Sequence, residues 1–406
     1  MDTIKKQNIL NECNSLDMSA LCALIENGSI TIHELQEAGL DDEKVNELIN
    51  LYKKEEELAK AKVEAEVNKS KLNSEKENLL DKITHNKVTV DQFVHEFTSG
   101  KITVNDLLNI GISQKTINSI KYYGQDRGVT IFKRIEDLPA IAPNRTDVYF
   151  VGIAGTGKST MLSGLLNAAH KDGILIPDTY NNEGSKYQNQ VIEDLRRGVL
   201  PKATAKGSFN YIALSLADND NKAHPLNVVE VPGELYSKIY ENQENVDSLL
   251  TYIQNENKKI LIFTIDSFAQ HHGFDENGES VPDQSLIYTN ILNIFQKRGV
   301  LEQTDAIYLI VNKFDAIKEL RYSNDDRSDA ELSLDFLNEE FKSLLNNCKA
   351  ARTRKNEFKI KVLPFSIGDI SYKFILNKYN INYSRELINN ILDDSFIVTK
   401  KKFELF

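Results

Sequence analysis

The sequence predicts an α/β fold, a doubly wound sheet preceded by an N-terminal all-α repeat region. Three observations carry this. From Thr146 onward, apolar runs at 148–151, 209–216, 226–231, 260–265, 306–311 and 358–363 are mostly separated by helix-patterned stretches, as in parallel strands joined by crossover helices. The first run leads into Gly152-Ile153-Ala154-Gly155-Thr156-Gly157-Lys158-Ser159, which fits the phosphate-binding pattern G-x-x-x-x-G-K-[ST] in its required strand–loop–helix setting. Upstream, the stretch from Gly28 to Gly39 returns 72 positions later as Gly100 to Gly111.

The repeat sets the organisation of the first third. Thr31 and Thr103 each stand three residues before an acidic residue, Glu34 and Asp106, as in a capping box at a helix start. Gly39 and Gly111 then end that helix in a left-handed turn. A second helix follows, with apolar positions Val45, Leu48, Ile49 and Tyr52 in one copy and Ile117, Ile120 and Tyr123 in the other. Residues 88–97, with Phe93, Val94 and Phe97, supply a further short helix to the second copy, and residues 9–25 do so for the first. One such unit is too small to bury a core alone. The second helices carry few cations, Lys44 in one and Lys115 and Lys121 in the other. A DNA-recognition helix needs more, so a protein partner, contacted through residues 1–130, is the expectation.

Residues 53–82 contain neither Gly nor Pro and balance eight basic against eight acidic side chains. Glu56/Lys60, Lys62/Glu66 and Lys71/Glu75 sit at helical i,i+4 spacing. Leu51, Leu58, Ala65, Leu72 and Leu79 recur every seven residues beside a mixed companion seam. A solvated spacer helix fits better than a weak two-stranded coiled coil, and nucleotide-dependent oligomerisation stays open. The domains expected are copy one at 1–52, a charged helical spacer at 53–82, copy two at 83–130, a linker with Pro139 and Pro143 at 131–146, and the α/β domain at 147–406.

Bulk properties narrow the class. A 406-residue chain with 41% hydrophobic residues has enough apolar content for a sizeable core, and a net charge of −11 argues against nucleic acid as a general partner. Cys13, Cys22 and Cys348 have no metal-ligand spacing and read as reduced thiols. No signal peptide and no apolar run of membrane-spanning length is expected, which places the chain in the cytoplasm.

The phosphate loop supplies the chemistry. Its glycines let successive N–H groups face a phosphate, and the helix that follows adds the positive end of its dipole. Gly152, Gly155, Thr156, Gly157, Lys158, Ser159 and Thr160 are the expected phosphate-binding residues, with Lys158 on the β- and γ-phosphates and Ser159 on Mg²⁺. Asn312-Lys313-Phe314-Asp315 follows the apolar run 307–311 and fits the guanine-specificity motif N-K-x-D. Asp315 would accept from the guanine N1–H and 2-amino group, a donor pair that adenine lacks. Lys313 would pack over the base.

This set resembles the P-loop GTPases of the translation-factor-related class. Gly198-Val-Leu-Pro-Lys-Ala-Thr204 followed by Val231-Pro232-Gly233-Glu234 is similar to the bacterial double-GTPase families linked to conflict and defence systems, whose second motif usually reads D-x-P-G-E. The resemblance implies a GTP/GDP and Mg²⁺ site and a regulatory switch. In it Glu230 stands where an Asp usually holds Mg²⁺, Gly233 senses the γ-phosphate, and Glu234 occupies the place of a water-orienting Gln. It implies that Thr204, with Thr179 as second choice, closes over Mg²⁺ and the γ-phosphate. Arg196, Arg197, Lys202 and Lys206 flank that loop, and Ser366 and Ile367 back the guanine. Lys158, Thr204 and Glu234 are the catalytic candidates, and Ser159, Thr204 and Glu230 the metal candidates. His271 and His272 read as part of a polar loop.

Overall fold

A computed structural model describes residues 8–9, 11–125, 132–202, 207–237, 243–266, 283–354 and 357–397. Two compact units are present, Met1–His85 and Asn86–Phe406.

In the first unit, α1 (Met18–Glu26), α2 (Ile32–Glu37) and the start of α3 (Asp42–Thr84) form a small bundle. Asp17, Thr31 and Asp41 cap the three N-termini by accepting from backbone N–H groups. Leu21, Ile30, Leu35, Leu40, Val45 and Leu48 close its core. The helix expected to end copy one does not stop there. It runs without a break through the charged stretch to Thr84, 43 residues in all, or about 65 Å. Its middle is solvated, with Leu51, Leu58 and Leu72 all exposed.

The second unit opens with the same three helices, α4 (Val90–Thr98), α5 (Val104–Asn109) and α6 (Gln114–Tyr123). Each starts 72 positions after its counterpart, and Thr89, Thr103 and Ser113 repeat the caps. Gly39 at φ +83° and Gly111 at φ +86° make the same left-handed stop.

The sheet that follows has seven strands in the order β2-β3-β4-β1-β5-β6-β7. They are β1 (Thr146–Val151), β2 (Leu175–Pro177), β3 (Asn210–Ala217), β4 (Ala223–Glu230), β5 (Lys258–Asp266), β6 (Thr304–Asn312) and β7 (Lys359–Phe365). The strands from β4 to β7 are parallel, while at one edge β3 runs antiparallel to β4 and β2 antiparallel to β3. Alternate residues serve opposite faces. Tyr149, Val151, Leu261, Phe263, Leu309 and Val311 pack with α11 (Gln284–Lys297), α13 (Asp329–Glu340) and α14 (Lys342–Ala351). Val148, Phe150, Ile260, Ile262 and Ile310 pack with α7 (Lys158–Lys171), α8 (Ser185–Arg196) and α15 (Ile381–Asp394). The doubly wound α/β architecture is thus the one the sequence predicts. The other α-helices of the described residues are α9 (Gly233–Ser237), α10 (Gln243–Ile253) and α12 (Phe314–Arg321).

Residues 132–145, expected as part of a linker, lie along the core. Ile135 and Leu138 belong to it, and Phe132 bridges to Phe209. A hairpin of β8 (Gly368–Ser371) and β9 (Ile375–Tyr379) follows β7. It holds the second helical copy in place. Phe93 meets Tyr372 edge-on with ring centres 5.0 Å apart, and Tyr123 meets Phe374 at 4.6 Å. The same copy bonds to the end of α8. Ser119 Oγ donates to the Arg197 carbonyl at 2.7 Å, and Tyr122 donates to Asp194 at 3.2 Å.

Candidate functional site

The carboxyl ends of β1, β4, β5, β6 and β7 converge on one rim, where open α/β sheets place their ligands. Register fixes the alignment. Phe150 lies beside Glu230, Asp266 beside Asn312, and Asn312 beside Phe365.

Between β1 and α7, Gly155 and Gly157 adopt φ +81° and +87°. Gly157 has a second constraint: a side chain there would come within 2.3 Å of Asn312 Nδ2. The loop therefore turns sharply and leads directly into α7. Thr156 Oγ1 donates to the Ile153 carbonyl at 3.0 Å, and Thr160 follows Ser159 in the first turn of α7. The Lys158 ammonium folds back onto its own loop, donating to the carbonyls of Gly152 at 2.7 Å and Ile153 at 3.0 Å. Its burial pushes the pKa down to about 8, against the pull of Glu230 and Glu234. A buried ammonium in a glycine cradle suits an anion of high charge.

Ser159 Oγ hydrogen-bonds the Glu230 carboxylate. The other carboxylate oxygen accepts from Tyr187 OH and from Asn210 Nδ2, each at 2.9 Å. Burial, then the Glu230 charge, raises the Tyr187 pKa and keeps it a donor. Glu230 is thus a buried carboxylate aimed at the serine that the sequence assigns to Mg²⁺. Tyr187 and Asn210 are its partners from two other elements, and no sequence motif marked them.

Gly233 packs on the loop itself. A side chain at this position would approach the Ala154 nitrogen to 2.1 Å, so only glycine fits. Glu234 follows at the start of α9 and faces the same cavity. That cavity has a volume of about 920 Å³ and is walled by Gly155, Gly157, Lys158, Ser159, Thr160 and Glu230 to Glu234. Its far wall, which no sequence motif marks, is formed by Val90, Asp91, Val94 and His95 of α4, Tyr123 at the end of α6 with Gly124 just beyond it, and Lys373 and Phe374 of the hairpin. Tyr372 and Lys373 hold positive φ values of 54° and 61° at the hairpin turn, a conformation that costs non-glycine residues energy.

The guanine-motif residues gather on the neighbouring strand ends. Asn312 Nδ2 donates to the Thr156 carbonyl at 2.7 Å, which ties the motif to the phosphate loop. Asn312 Oδ1 accepts from the Lys313 N–H at 2.9 Å. Lys313 stands at φ +55° before α12 and pairs with Asp266 at 2.6 Å. Asp315 is exposed in the first turn of α12. Ser366 and Ile367 are buried just beyond β7, and Ser366 Oγ accepts from the Gly368 N–H at 3.2 Å.

Thr204, Lys206, His271 and His272 lie outside the described residues. Thr179 is exposed beyond β2. Arg196 and Arg197 pair with Glu193, whereas Lys202 lines the cavity.

Residues 149–284 match the family model Double-GTPase 1. No curated protein matches the chain. A crystal structure of a nucleolar GTP-binding protein 1 from Plasmodium falciparum aligns at 15% identity over 63% of this chain and 90% of its own, with a TM-score of 0.32. A likeness that loose carries no weight for function.

Proposed function

We propose, on the premise that this chain carries a P-loop GTPase domain, that it is a GTP-binding and GTP-hydrolysing regulatory switch read out through its N-terminal helices. One observation carries the reading. The buried Lys158 ammonium sits on two loop carbonyls in a cavity lined by Glu230 and Gly233.

In this reading residues 152–160 cradle the phosphates, and Lys158 turns from its carbonyls to the β- and γ-phosphate oxygens. Ser159 and Glu230 hold Mg²⁺, with Thr204 completing the set. When bound, Mg²⁺ supplies charge neutralisation at the phosphate oxygens. Glu234 orients the attacking water and accepts its proton. Gly233 reports the γ-phosphate through its N–H. Asp315 selects guanine, Asn312 braces the motif against the loop, Lys313 covers the base, and Ser366 and Ile367 line its far edge. Residues 1–130 recruit a protein partner, and nucleotide-dependent assembly is one form that readout can take. A defence role rests on the sequence resemblance alone. Co-purification of an effector protein with the GTP-bound chain, lost on Lys158→Ala, tests it.

The test is competition binding. Unlabelled GTP should displace a fluorescent guanine nucleotide while ATP does not, and Lys158→Ala should abolish uptake. Asp315→Asn should move preference towards xanthosine triphosphate. Equal displacement by ATP would sink the assignment. A second reading, a nucleotide-dependent scaffold with little intrinsic turnover, is favoured by the hydrogen bonds from Ser159, Tyr187 and Asn210 that hold both Glu230 oxygens. Single-turnover hydrolysis, with and without partner, separates the two.

A further inference from the structure

We infer that Lys202 recognises the γ-phosphate end of the nucleotide, and that it does so by letting go of the C-terminus of α6, so that nucleotide state controls the second helical copy. The inference rests on the guanine-nucleotide reading above and adds to it a residue and a route.

Among the described residues, three lysines line the cavity beside the phosphate loop: Lys158, Lys202 and Lys373. Lys158 belongs to the loop and Lys373 to the hairpin turn. Of these three, Lys202 is the one on the segment that leads from α8 towards β3. Of the other described cations on that segment, Arg196 and Arg197 are held by Glu193 and line no part of the cavity. The Lys202 ammonium now rests on the end of α6. It donates to the Gln125 carbonyl at 3.3 Å and lies 5.4 Å from the centre of the Tyr123 ring. Both are weak partners, a neutral carbonyl at long range and a ring face. A phosphate oxyanion in the same cavity offers a charge-assisted bond in their place.

The backbone behind Lys202 is pinned. Leu200 N donates to the Phe374 carbonyl at 2.8 Å, and Leu376 N donates to the Gly198 carbonyl at 2.9 Å. The exchange is therefore a swing of one side chain from α6 to the cavity, with the segment before it fixed. Once Lys202 leaves, the carbonyl end of α6 loses one of its cations, where positive charge is stabilising; Lys121 stays in the last turn and Arg197 stays over the Tyr122 ring. Tyr123 and Gly124 also line the cavity, so the loosened turn is one wall of the site that triggers it.

The experiment compares wild type, Lys202→Ala and Lys202→Arg. GDP and a non-hydrolysable GTP analogue are titrated by calorimetry, and hydrogen exchange is followed at residues 114–125. Lys202→Ala should weaken the analogue roughly tenfold and leave GDP within about twofold; Lys202→Arg should keep the preference. In wild type, exchange at 120–125 should rise with the analogue and not with GDP; in Lys202→Ala it should be high throughout. Unchanged analogue affinity in Lys202→Ala, or equal exchange with the two nucleotides in wild type, overturns the inference. Failure of wild type to bind either nucleotide overturns the guanine reading, and this inference with it.

Discussion

Lys158 makes a pH signature. Its pKa falls from an ordinary 10.5 to about 8 because burial disfavours the charged form. Between those two values the unfolded chain holds a proton that the folded one has released, so stability rises with pH across that window. Charge on Lys158 costs the fold below about 8, by at most ~3 kcal/mol. Lys259, also pushed down to about 8, titrates in the same range, so the measurement is a difference. Melting temperatures of wild type and Lys158→Met should diverge in favour of the mutant below pH 8 and converge towards pH 10. GTP, supplying an anion for the ammonium, should flatten the difference for wild type. Gly233 gives a sharper result. Its missing side chain leaves 2.1 Å to the Ala154 nitrogen, so Gly233→Ala must push the phosphate loop. Guanine-nucleotide affinity should fall on the order of a hundredfold, about 3 kcal/mol, with circular dichroism unchanged. At this scale the sequence was most informative where chemistry forces a residue type. Glycines at positive φ, a lysine and a serine at fixed spacing leave few substitutes. Tyr187 and Asn210 carry no sequence signal because their shared role at Glu230 exists only once β3, β4 and α8 come together.

Among the elements, the helical caps were legible for the same reason: Thr31 with Glu34 and Thr103 with Asp106 form the reciprocal bonds their spacing requires. The six principal strands were legible as apolar runs. The three-residue β2 and the β8–β9 hairpin were not. Two residues at left-handed φ make its turn, and these are Tyr372 and Lys373 rather than the Asn-Gly pair that announces such turns. Nor could the sequence show that the second helical copy spends its aromatic face on this hairpin, since Phe93 and Tyr123 look like ordinary helix-core positions. Phe93 is fully buried and its ring meets both Tyr372 and Phe374. Phe93→Ala should therefore destabilise by roughly 3–5 kcal/mol in urea unfolding of the full chain. A loss below 1 kcal/mol would mean that the copy is not held there.

The whole molecule divides at a place the repeat does not suggest. Two copies of one helical motif end up in different compact units, the first in Met1–His85 and the second in Asn86–Phe406. A chain starting at Asn86 should keep its guanine-nucleotide affinity within about threefold of the full length, about 0.6 kcal/mol. One starting at Phe132 should bare the hairpin aromatics and bind a hydrophobic dye. Fluorescence titration and dye binding on the two fragments check this, and equal dye binding would refute it. The sheet order has a last consequence, through the Asn312 amide that joins the base motif to the phosphate loop at 2.7 Å. In the proposed guanine-nucleotide site this one side chain would serve two half-sites, so base and phosphates should be recognised cooperatively. Guanosine and pyrophosphate, bound as separate fragments, should each raise the other's affinity, and Asn312→Ala should make them independent. A site coupled in this way would discriminate through its phosphates as well: a wrong base would weaken the grip on the groups that every nucleotide shares.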